Sequence, residues 1–383
     1  MFVMPRNASP ARSRKRLLPA LALLSVAAVA LVGCAPAVGA APAAPEPTTP
    51  AAGISVVDQR GETIELPGTV ERVAFTVMPA PSIFAAVDRS YDRIVGINES
   101  TLKANQGGMF ATMFPASAES TTVAGADFVP NVETLVGLDP DVVIQWGDRG
   151  DDVIAPITAA GIPVVGLSYG TQEDLEAWLT LFAEIAGKPE RGTALVEWQH
   201  ERIEAVRAEV AAQDTPRPRA MMLSHAADSY STTTGDGYDG FQFDLVGADL
   251  VSQDFVSDGG QVGPEQILEW NPEVIFLSAF DESTPEQILA DPRLASVQAV
   301  QDGRVYKTPL GGYRWQVPGS ESPLMWEWMF HLLYPKAGDS ELRAQTVAAF
   351  DDLFAYPLSE DELDGVLRFA DNAAGADYDQ FRR

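Results

Sequence analysis

Short apolar runs alternate with helical stretches along most of the chain from residue 54 onward. The runs predicted as strands in the first half are Arg72–Val77, Ile94–Ile97, Asp141–Trp146 and Pro163–Leu167. A helix is predicted between the first two of them, over Ser82–Asp88. Repetition of strand and helix is typical of a parallel sheet whose strands are connected by crossover helices. The first half of the chain is therefore predicted to fold as an α/β lobe.

Two consecutive helices are predicted at the middle of the chain. Thr171 and Asp174 have the spacing of a capping pair at a helix N-terminus, and Gly187 ends that helix. Pro189 begins a second helix, and its apolar positions repeat at helical spacing to about Gln213. This second helix is long enough to connect two lobes.

A second series of strands and helices follows the long helix. In chain order, strand and helix in alternation, its elements are predicted at Ala220–Leu223, Pro264–Glu269, Val274–Leu277, Pro285–Ala290, Val305–Lys307 and Pro323–Tyr334. The predicted fold is α/β, with two lobes that each contain a central, mostly parallel sheet. The domain boundaries are placed at 54–187 for the N-terminal lobe, 188–213 for the interdomain helix and 214–383 for the C-terminal lobe.

The first 33 residues have the features of a secretory signal peptide. Four basic residues lie between Arg12 and Arg16, and the apolar run Leu17–Val32 follows them. A transmembrane anchor is the alternative, but the run contains Pro19 and is shorter than the roughly 20 residues that a membrane span needs. The tetrad Leu-Val-Gly-Cys that ends at Cys34 resembles the lipobox of bacterial lipoproteins. This resemblance implies that Cys34 is lipidated and becomes the first residue of the mature protein.

Residues 34–53 form a linker that is rich in proline and alanine. A segment of this composition cannot bury a core and favours extended conformations. With a lipid on Cys34, the linker is predicted to hold an extracytoplasmic domain that is anchored to the cell membrane.

The charge of the chain excludes some partners. Its formal net charge is -28, and residues 1–33 contain five basic and no acidic side chains, so the mature form carries -33. Nucleic-acid phosphates repel so acidic a protein, and no nucleic-acid partner is expected. The single cysteine cannot form an internal disulfide bond, and three histidines are too few for a zinc site of the Cys/His kind. No metal site is predicted.

One motif favours an enzyme. Gly166–Gly170 matches the G-x-S-x-G pattern, in which Ser168 would be a nucleophile on a turn between strand and helix. The predicted helix begins only at Thr171, and no His-Gly-Gly run is present to form an oxyanion loop. A serine hydrolase using Ser168, with His225 or His331 as its base, stays a remote alternative. No other catalytic residue is predicted.

Short motifs in both halves of the chain carry a resemblance to one family. They are Asp58–Gly61, Asp92–Ile97, Pro130–Leu135, Leu138–Ile144, Pro264–Ile275, Val300–Tyr306 and Pro323–Pro335. In this order they resemble the helical-hinge (class III) substrate-binding proteins of ABC importers for ferric siderophores, haem and cobalamin. The resemblance runs from about Val57 to Leu367. It implies a ligand cleft between the two lobes and a continuous interdomain helix that permits only a small closure.

The resemblance also implies a function. We expect a monomeric lipoprotein that captures an iron(III)-siderophore-type chelate and delivers it to the permease dimer of an ABC importer. Cobalamin, haem or an oxyanion such as molybdate remain alternative ligands. No cofactor is expected apart from the transported chelate.

Ligand contacts are expected just past the carboxyl ends of strands, where loops converge in open α/β sheets. The candidates are Arg314, Tyr313, Trp315, Trp146, Arg149, Tyr230, Tyr238 and His225. Arg314 lies between two aromatic residues, and its planar guanidinium is suited to pair with oxygen atoms of an anionic ligand. Its alternative role is a surface ion pair beside packed aromatics.

Two glutamates are the candidate contacts with the permease. In the family that the chain resembles, a glutamate at the start of a helix in each lobe pairs with permease arginines, and the matching positions are Glu133 and Glu265. Helix capping alone also explains an acidic residue in a first turn. Residues 101–122 are predicted to form a long loop that lines or covers the cleft.

Overall fold

The computed structural model describes residues 53–226 and 229–382. The predicted signal peptide, Cys34 and nearly all of the linker lie outside the described residues. Thirteen strands are described: β1 Ile54–Val57, β2 Thr63–Leu66, β3 Val73–Phe75, β4 Ile94–Asn98, β5 Thr122–Ala124, β6 Val142–Trp146, β7 Val164–Leu167, β8 Arg219–Ala226, β9 Ser229–Thr232, β10 Asp249–Leu250, β11 Gln261–Val262, β12 Val274–Leu277 and β13 Val305–Lys307.

The described helices include fourteen α-helices. They are α1 Ala80–Asp88, α2 Glu99–Gly107, α3 Phe110–Met113, α4 Val132–Leu138, α5 Ala155–Ala159, α6 Gln172–Ile185, α7 Pro189–Ala211, α8 Gly237–Leu245, α9 Pro264–Trp270, α10 Pro285–Leu289, α11 Gln298–Gln301, α12 Ser322–Leu333, α13 Leu342–Phe354 and α14 Glu360–Val366. Short 3-10 turns lie at Pro115–Glu119, Asp151–Val153, Asp258–Gly260 and Tyr378–Arg382. Among the described residues, no helix is both long and apolar enough to cross a membrane.

Each lobe is built around one sheet. In the N-terminal lobe the strand order is β5-β4-β3-β6-β7, and every pair is parallel. In the C-terminal lobe the order is β11-β9-β8-β12-β13, with β10 beside the start of β8. The pairs of β8 with β12 and of β12 with β13 are parallel, whereas β9 runs antiparallel to its neighbours. The predicted α/β fold with two mostly parallel sheets is confirmed.

Alternating side chains of the central strands pack into different parts of the core. Val274 and Phe276 of β12 join the large core that α7 and α12 share, while Ile275 and Leu277 join a separate cluster on the opposite face. All four are fully buried. A parallel sheet that is covered on both faces requires such continuous apolar strands.

Two consecutive helices, α6 and α7, lie between the two sheets along the chain, and the longer one, α7, connects the lobes. Thr171 caps α6 through a capping box with Asp174, as its spacing predicts. The long helix predicted from Pro189 is α7, and it ends at Ala211 rather than near Gln213. It packs along α6 on one side and α12 on the other.

The C-terminal segment forms a second connection. Helix α13 packs against α12 and also against α1 of the N-terminal lobe. The guanidinium of Arg191 pairs with Asp352 at 2.8 Å, and Arg89 donates to the carbonyl of Asp351. At the end of this helix, Phe354 makes edge contacts with Phe110, with ring centres 6.2 Å apart. The tail therefore contacts both lobes.

The prediction of a long loop over 101–122 is wrong. This segment contains most of α2, all of α3 and a 3-10 turn. The side chain of Asn98 accepts from the amide of Ser100 and begins α2, and Phe110 and Phe114 pack against Tyr91. Its aromatic residues form a satellite core with Phe354, and none of residues 101–122 lines the main cavity described below.

Candidate functional site

A cavity of about 440 Å³ lies between the two sheets, at the carboxyl ends of their strands. The N-terminal lobe contributes Met78, Pro79, Phe128, Trp146, Arg149 and Tyr169. The C-terminal lobe contributes Met222, Ser224, Ser231, Thr232, Thr233, Asp239, Ser278, Phe280, Tyr313, Gln316 and Val317. This is the position at which open α/β sheets bind ligands, because the loops after successive strands meet there.

An aromatic wall with one cation forms the N-terminal side. Trp146 ends β6, and its ring contacts Phe128 and Tyr169 at centre distances of 5.8 and 5.7 Å. The guanidinium carbon of Arg149 lies 4.4 Å from the centre of the Phe128 ring and 4.9 Å from that of Trp146. Arg149 is exposed, and no carboxylate of the described residues lies within ion-pair distance of it. Its charge is therefore available to a ligand.

The C-terminal side carries a second arginine behind its wall. The Nε atom of Arg314 donates to the carbonyl of Ala279 at 2.9 Å, and Nη1 donates to the hydroxyl of Tyr313 at 2.8 Å. The guanidinium also lies over the ring of Phe280. Tyr313 and Phe280 line the cavity, whereas Arg314 is half-buried beside them. No ion-pair partner of Arg314 is present among the residues the structure describes.

A buried carboxylate holds the loop that carries these residues. Glu321 accepts hydrogen bonds from the amides of Gly312 and Tyr313 at 3.0 and 3.1 Å and from the indole of Trp315 at 2.9 Å. A Cβ atom on Gly311 would lie 2.0 Å from a Glu321 oxygen. The glycine pair 311–312 is thus needed for the close approach of this side chain.

Two buried donors at the cavity have no partner. Trp146 and Thr233 line the cavity, one in each lobe, and the indole nitrogen of the first and the hydroxyl of the second are buried and make no hydrogen bond within the described chain. An unpaired buried donor is costly unless a ligand or water satisfies it.

Asp239 is the acidic group of the cavity wall. It lies in the first turn of α8, and one oxygen accepts from the side chain of Gln242 at 2.9 Å. Removal from water raises the pKa of Asp239 to about 6, and the hydrogen bond from Gln242 opposes this shift. The pKa of the neighbouring Tyr169 is raised by burial and, to a smaller extent, by the charge of Asp239.

Several predicted contact residues do not line the cavity. Trp315 is 2% exposed and donates to Glu321. Tyr238 is buried and bonds to the hydroxyl of Ser322. The hydroxyl of Tyr230 bonds to Asp291, and the ring of His225 stacks on Tyr230 at 4.8 Å. The structure thus brings Trp146, Arg149 and Tyr313 to the cavity, places Arg314 behind Tyr313, and leaves the other four elsewhere.

The residues around Ser168 do not form a catalytic arrangement. Its amide donates to the side chain of Gln59, and its carbonyl accepts from Trp178. His331 bonds to Glu327 on α12, and neither it nor His225 bonds to Ser168. The serine is therefore held by its backbone as part of the turn after β7.

The polar floor of the cavity was missed from the sequence. Asp239, Gln316 and a set of hydroxyl residues at β8, β9 and β12 line it. A hydroxyl-rich run over residues 229–234 is the only sequence signal for part of this set, and the Gly311–Gly312 pair signals the close approach of Glu321.

Glu133 and Glu265 lie on the surface of different lobes. Each is exposed in the first turn of its helix, α4 or α9, and pairs with no basic side chain among the described residues. Exposed apolar residues lie within four positions of each of them along the chain: Val129 and Val136 for Glu133, and Leu268 for Glu265.

Comparison with known proteins gives consistent matches. A family model described as "Periplasmic binding protein" matches residues 89–310. The chain is 27% identical to the molybdate-binding protein MolA of Haemophilus influenzae, over 73% of this chain and 85% of that protein. It is also 27% identical to a cobalamin-binding protein of Halobacterium salinarum, over 57% of this chain and 56% of that protein.

Solved structures share the fold. A periplasmic solute binding protein from Veillonella parvula superposes with a TM-score of 0.77 at 28% identity, covering 84% of this chain and 99% of that chain. The molybdate-bound structure of MolA superposes with a TM-score of 0.70 at 22% identity, covering 80% of this chain and 99% of that chain.

Proposed function

Because the chain belongs to the periplasmic binding protein family, we propose that it captures an anionic, siderophore-type chelate of iron(III) and delivers it to the permease of an ABC importer. Proteins of this family bind solutes for ABC transporters and are not enzymes. The observation that carries the proposal is the unpaired Arg149 on an aromatic wall of an inter-lobe cavity.

The size of the cavity favours an organic ligand. A volume of about 440 Å³ lies within the range of roughly 300 to 1,000 Å³ that is common for small-molecule sites. A bare oxyanion would leave most of this space to water, and a whole corrinoid would be enclosed only in part. A compact chelate with aromatic or alkyl arms fits both the volume and the apolar rings that surround it.

The charge of the site favours an anion with oxygen acceptors. The mature chain carries -33 and repels anions at long range, so the local attraction must come from groups at the cavity. Arg149 on the wall of one lobe and Arg314 directly behind the wall of the other provide it without neutralising partners.

Molybdate is the second candidate. It is supported by the similarity to MolA over 73% of the chain and by the hydroxyl residues of the cavity floor, among them Ser224, Ser231 and Thr233. Hydroxyl and indole donors bind a tetrahedral oxyanion as readily as the oxygens of a chelate. The two candidates differ in how much of the aromatic wall they contact.

A direct binding experiment separates these ligands. Residues 35–383 are titrated with ferric tris(2,3-dihydroxybenzoate), ferric citrate, cyanocobalamin, haemin and molybdate, with quenching of tryptophan fluorescence as the signal. We expect the tightest binding for one of the two ferric chelates. Tighter binding of molybdate supports the second candidate, and tightest binding of cyanocobalamin or haemin contradicts both.

We further propose that Glu133 and Glu265 dock on permease arginines. Both are exposed, unpaired and close along the chain to exposed apolar residues, one in each lobe on either side of the cleft. Two separated contacts of this kind favour binding of one protein copy across a permease dimer. The family resemblance supports the assignment.

We also propose that the mature protein is a monomeric lipoprotein anchored outside the cytoplasm. Residues 1–33 act as the signal peptide, Cys34 carries the lipid and residues 34–53 are the tether. The remaining boundaries then separate the lobes 54–187 and 214–383 from the interdomain segment 188–213.

A further inference from the structure

The carboxylate of Glu321 lies at an unusual place for an acidic side chain. Glu321 is 5% exposed and immediately precedes α12, but its side chain caps none of the helix amides. It is directed instead toward the loop 311–315, where it accepts hydrogen bonds from two backbone amides and one indole N–H. No basic side chain of the described part of the chain forms an ion pair with it.

The three hydrogen bonds determine the shape of the loop. One carboxylate oxygen accepts from Gly312 and Trp315, and the other accepts from Tyr313. The loop is closed by a bridge between Leu310 and Arg314. Glu321 thus fixes the position of Tyr313, which lines the cavity, and of Arg314, which donates to the hydroxyl of Tyr313.

The sequence around the loop is adapted to this carboxylate. A Cβ atom on Gly311 would lie 2.0 Å from a Glu321 oxygen, and one on Gly312 would lie 2.9 Å from the other oxygen. Distances under 3.0 Å are essentially never seen for real Cβ atoms, so a larger residue at either glycine would force Glu321 to shift, together with Trp315 at position 311 or Phe354 at position 312. Neither glycine has a positive φ, so space rather than backbone conformation requires them.

We propose that Glu321 is the positioning residue of the C-terminal cavity wall: its ionised carboxylate holds the loop 311–315 so that Tyr313, with Arg314 bonded to its hydroxyl from behind, is placed to meet an anionic ligand. The second half of this statement rests on the proposed function, whereas the first half concerns the loop alone. Glu321 does not touch the ligand and acts through the loop.

The ionisation of Glu321 gives the proposal a distinctive signature. Burial raises its pKa to about 7, and the three N–H donors oppose this shift only in part. The titratable or charged side chains that line a small cavity together with Glu321 are those of Tyr313 and Arg314, and Ser82 of α1 and Phe354 of α13 complete its lining from the neighbouring helices. Burial raises the pKa of Tyr313, so its phenol stays neutral near pH 7.

Glu321→Gln tests the positioning role. The amide has the shape of the carboxylate, but its NH₂ group cannot accept, so at least one of the three donors loses its partner. We expect hydrogen exchange of the Gly312 or Tyr313 amide to accelerate about tenfold or more, and the indole proton of Trp315 to shift in NMR spectra. In the parent, that indole signal is expected to titrate with a midpoint near pH 7, and in the variant the titration is lost.

The matched control is Glu341→Gln. Glu341 also immediately precedes a helix, α13, without capping it, but it is exposed. This variant is expected to leave the exchange of the loop amides and the Trp315 titration unchanged. If Glu321→Gln leaves them unchanged as well, the proposal is refuted, whether or not the protein binds a ferric chelate.

The affinity for ferric tris(2,3-dihydroxybenzoate) tests the link to function. We expect Glu321→Gln to weaken binding about fivefold or more, with Glu341→Gln equal to the parent. A loosened loop with unchanged affinity refutes the link between Glu321 and the ligand. If the parent itself does not bind the chelate, the proposed function fails, and the exchange data alone decide the role of Glu321 in the loop.

Discussion

The guanidinium carbon of Arg314 lies 4.4 Å from the centre of the Phe280 ring. This contact connects the loop after β12, which contains Phe280, with the loop after its neighbour β13, which contains Arg314. Two of the five guanidinium N–H groups are used by Ala279 and Tyr313. The stacked ring and the two hydrogen bonds hold the plane of the side chain, and three donors remain for a ligand or water. A preorganised cation of this kind loses little conformational entropy on binding.

Replacement of Arg314 by alanine is expected to weaken binding of ferric tris(2,3-dihydroxybenzoate) by about 2 kcal/mol or more, because a partly desolvated charge is lost. Arg314→Lys should recover only part of this, since a point charge cannot reproduce the planar fork. Arg149→Ala should have a smaller effect, because Arg149 is exposed. Titration by tryptophan fluorescence measures all three. Arg207→Ala, on the exposed face of α7, is the control, and equal affinity of Arg314→Ala and the control would contradict the assignment.

Affinity for an anionic chelate should increase as the pH falls through about 6. Above this pH the carboxylate of Asp239 is ionised and repels the anion, and below it the carboxyl is neutral. Dissociation constants of the parent and of Asp239→Asn are compared at about pH 5 and about pH 7.5. Protonation of the chelate itself affects binding to both proteins equally. The ratio of the dissociation constant of the parent to that of Asp239→Asn at each pH therefore reports the effect of the Asp239 charge. We expect the variant to bind more tightly at the higher pH only; a constant ratio would exclude a role for its charge.

Gly311→Ala should be costly only while Glu321 is present. The new methyl group would lie 2.0 Å from the carboxylate, and we expect a loss of about 2 kcal/mol in the free energy of unfolding. In a Glu321→Ala background the loss should be at least about 1 kcal/mol smaller, although Trp315 remains close. Urea denaturation of the parent, the two single variants and the double variant gives the coupling free energy between Gly311 and Glu321. Gly137→Ala is the control, because a Cβ atom there meets nothing within 4 Å; additive losses would show that the carboxylate does not require Gly311.

Reversal of both docking charges, Glu133→Arg with Glu265→Arg, should abolish uptake through the cognate permease. The affinity of the isolated protein for its ligand should stay within about threefold, since both side chains lie outside the cavity. Uptake of radiolabelled iron chelate by cells and fluorescence titration of the purified protein provide the two measurements. Reversal of Glu173 and Glu286, exposed first-turn glutamates of α6 and α10, is the matched control. Loss of ligand affinity in the first pair would place it in the binding site.

Cys34→Ser should release the protein from the membrane fraction of its host. A single acyl chain binds membranes only weakly, but the several chains of a bacterial lipoprotein anchor stably, so the change is expected to be nearly complete. Fractionation followed by immunoblotting measures it, and mass spectrometry of the parent detects the added lipid. Retention of the serine variant in the membrane would assign the attachment to another part of the chain.

The sequence predicts the fold well because the strands are nearly continuous apolar runs. Val274–Leu277 and Val305–Lys307 are strands within the predicted bounds, and the capping box at Thr171 is present. Residues 101–122 were misjudged because their helices are short and weakly amphipathic, and an aromatic cluster with the distant Phe354 stabilises them. Such a long-range contact leaves no local pattern.

The site is only partly predictable, for a related reason. Placement after a strand correctly puts Trp146 and Tyr313 near the cleft, but it does not tell which face of a loop a side chain occupies. Tyr230 and Tyr238 are turned away because buried partners, Asp291 and Ser322, take their hydroxyl groups. These partners are 61 and 84 residues distant along the chain, beyond the reach of any local motif.

Helices α7 and α13, which each contact both lobes, also affect the expected binding kinetics of the protein. Helix α7 and helix α13 each restrain the relative movement of the two lobes. A large opening would have to bend the 23-residue helix α7 and break the ion pair between Arg191 and Asp352. We therefore expect the mouth of the cavity to keep nearly the same width whether it is filled or empty. The solute then enters a preformed site, and we expect the association rate to be limited by diffusion and electrostatics rather than by a conformational change.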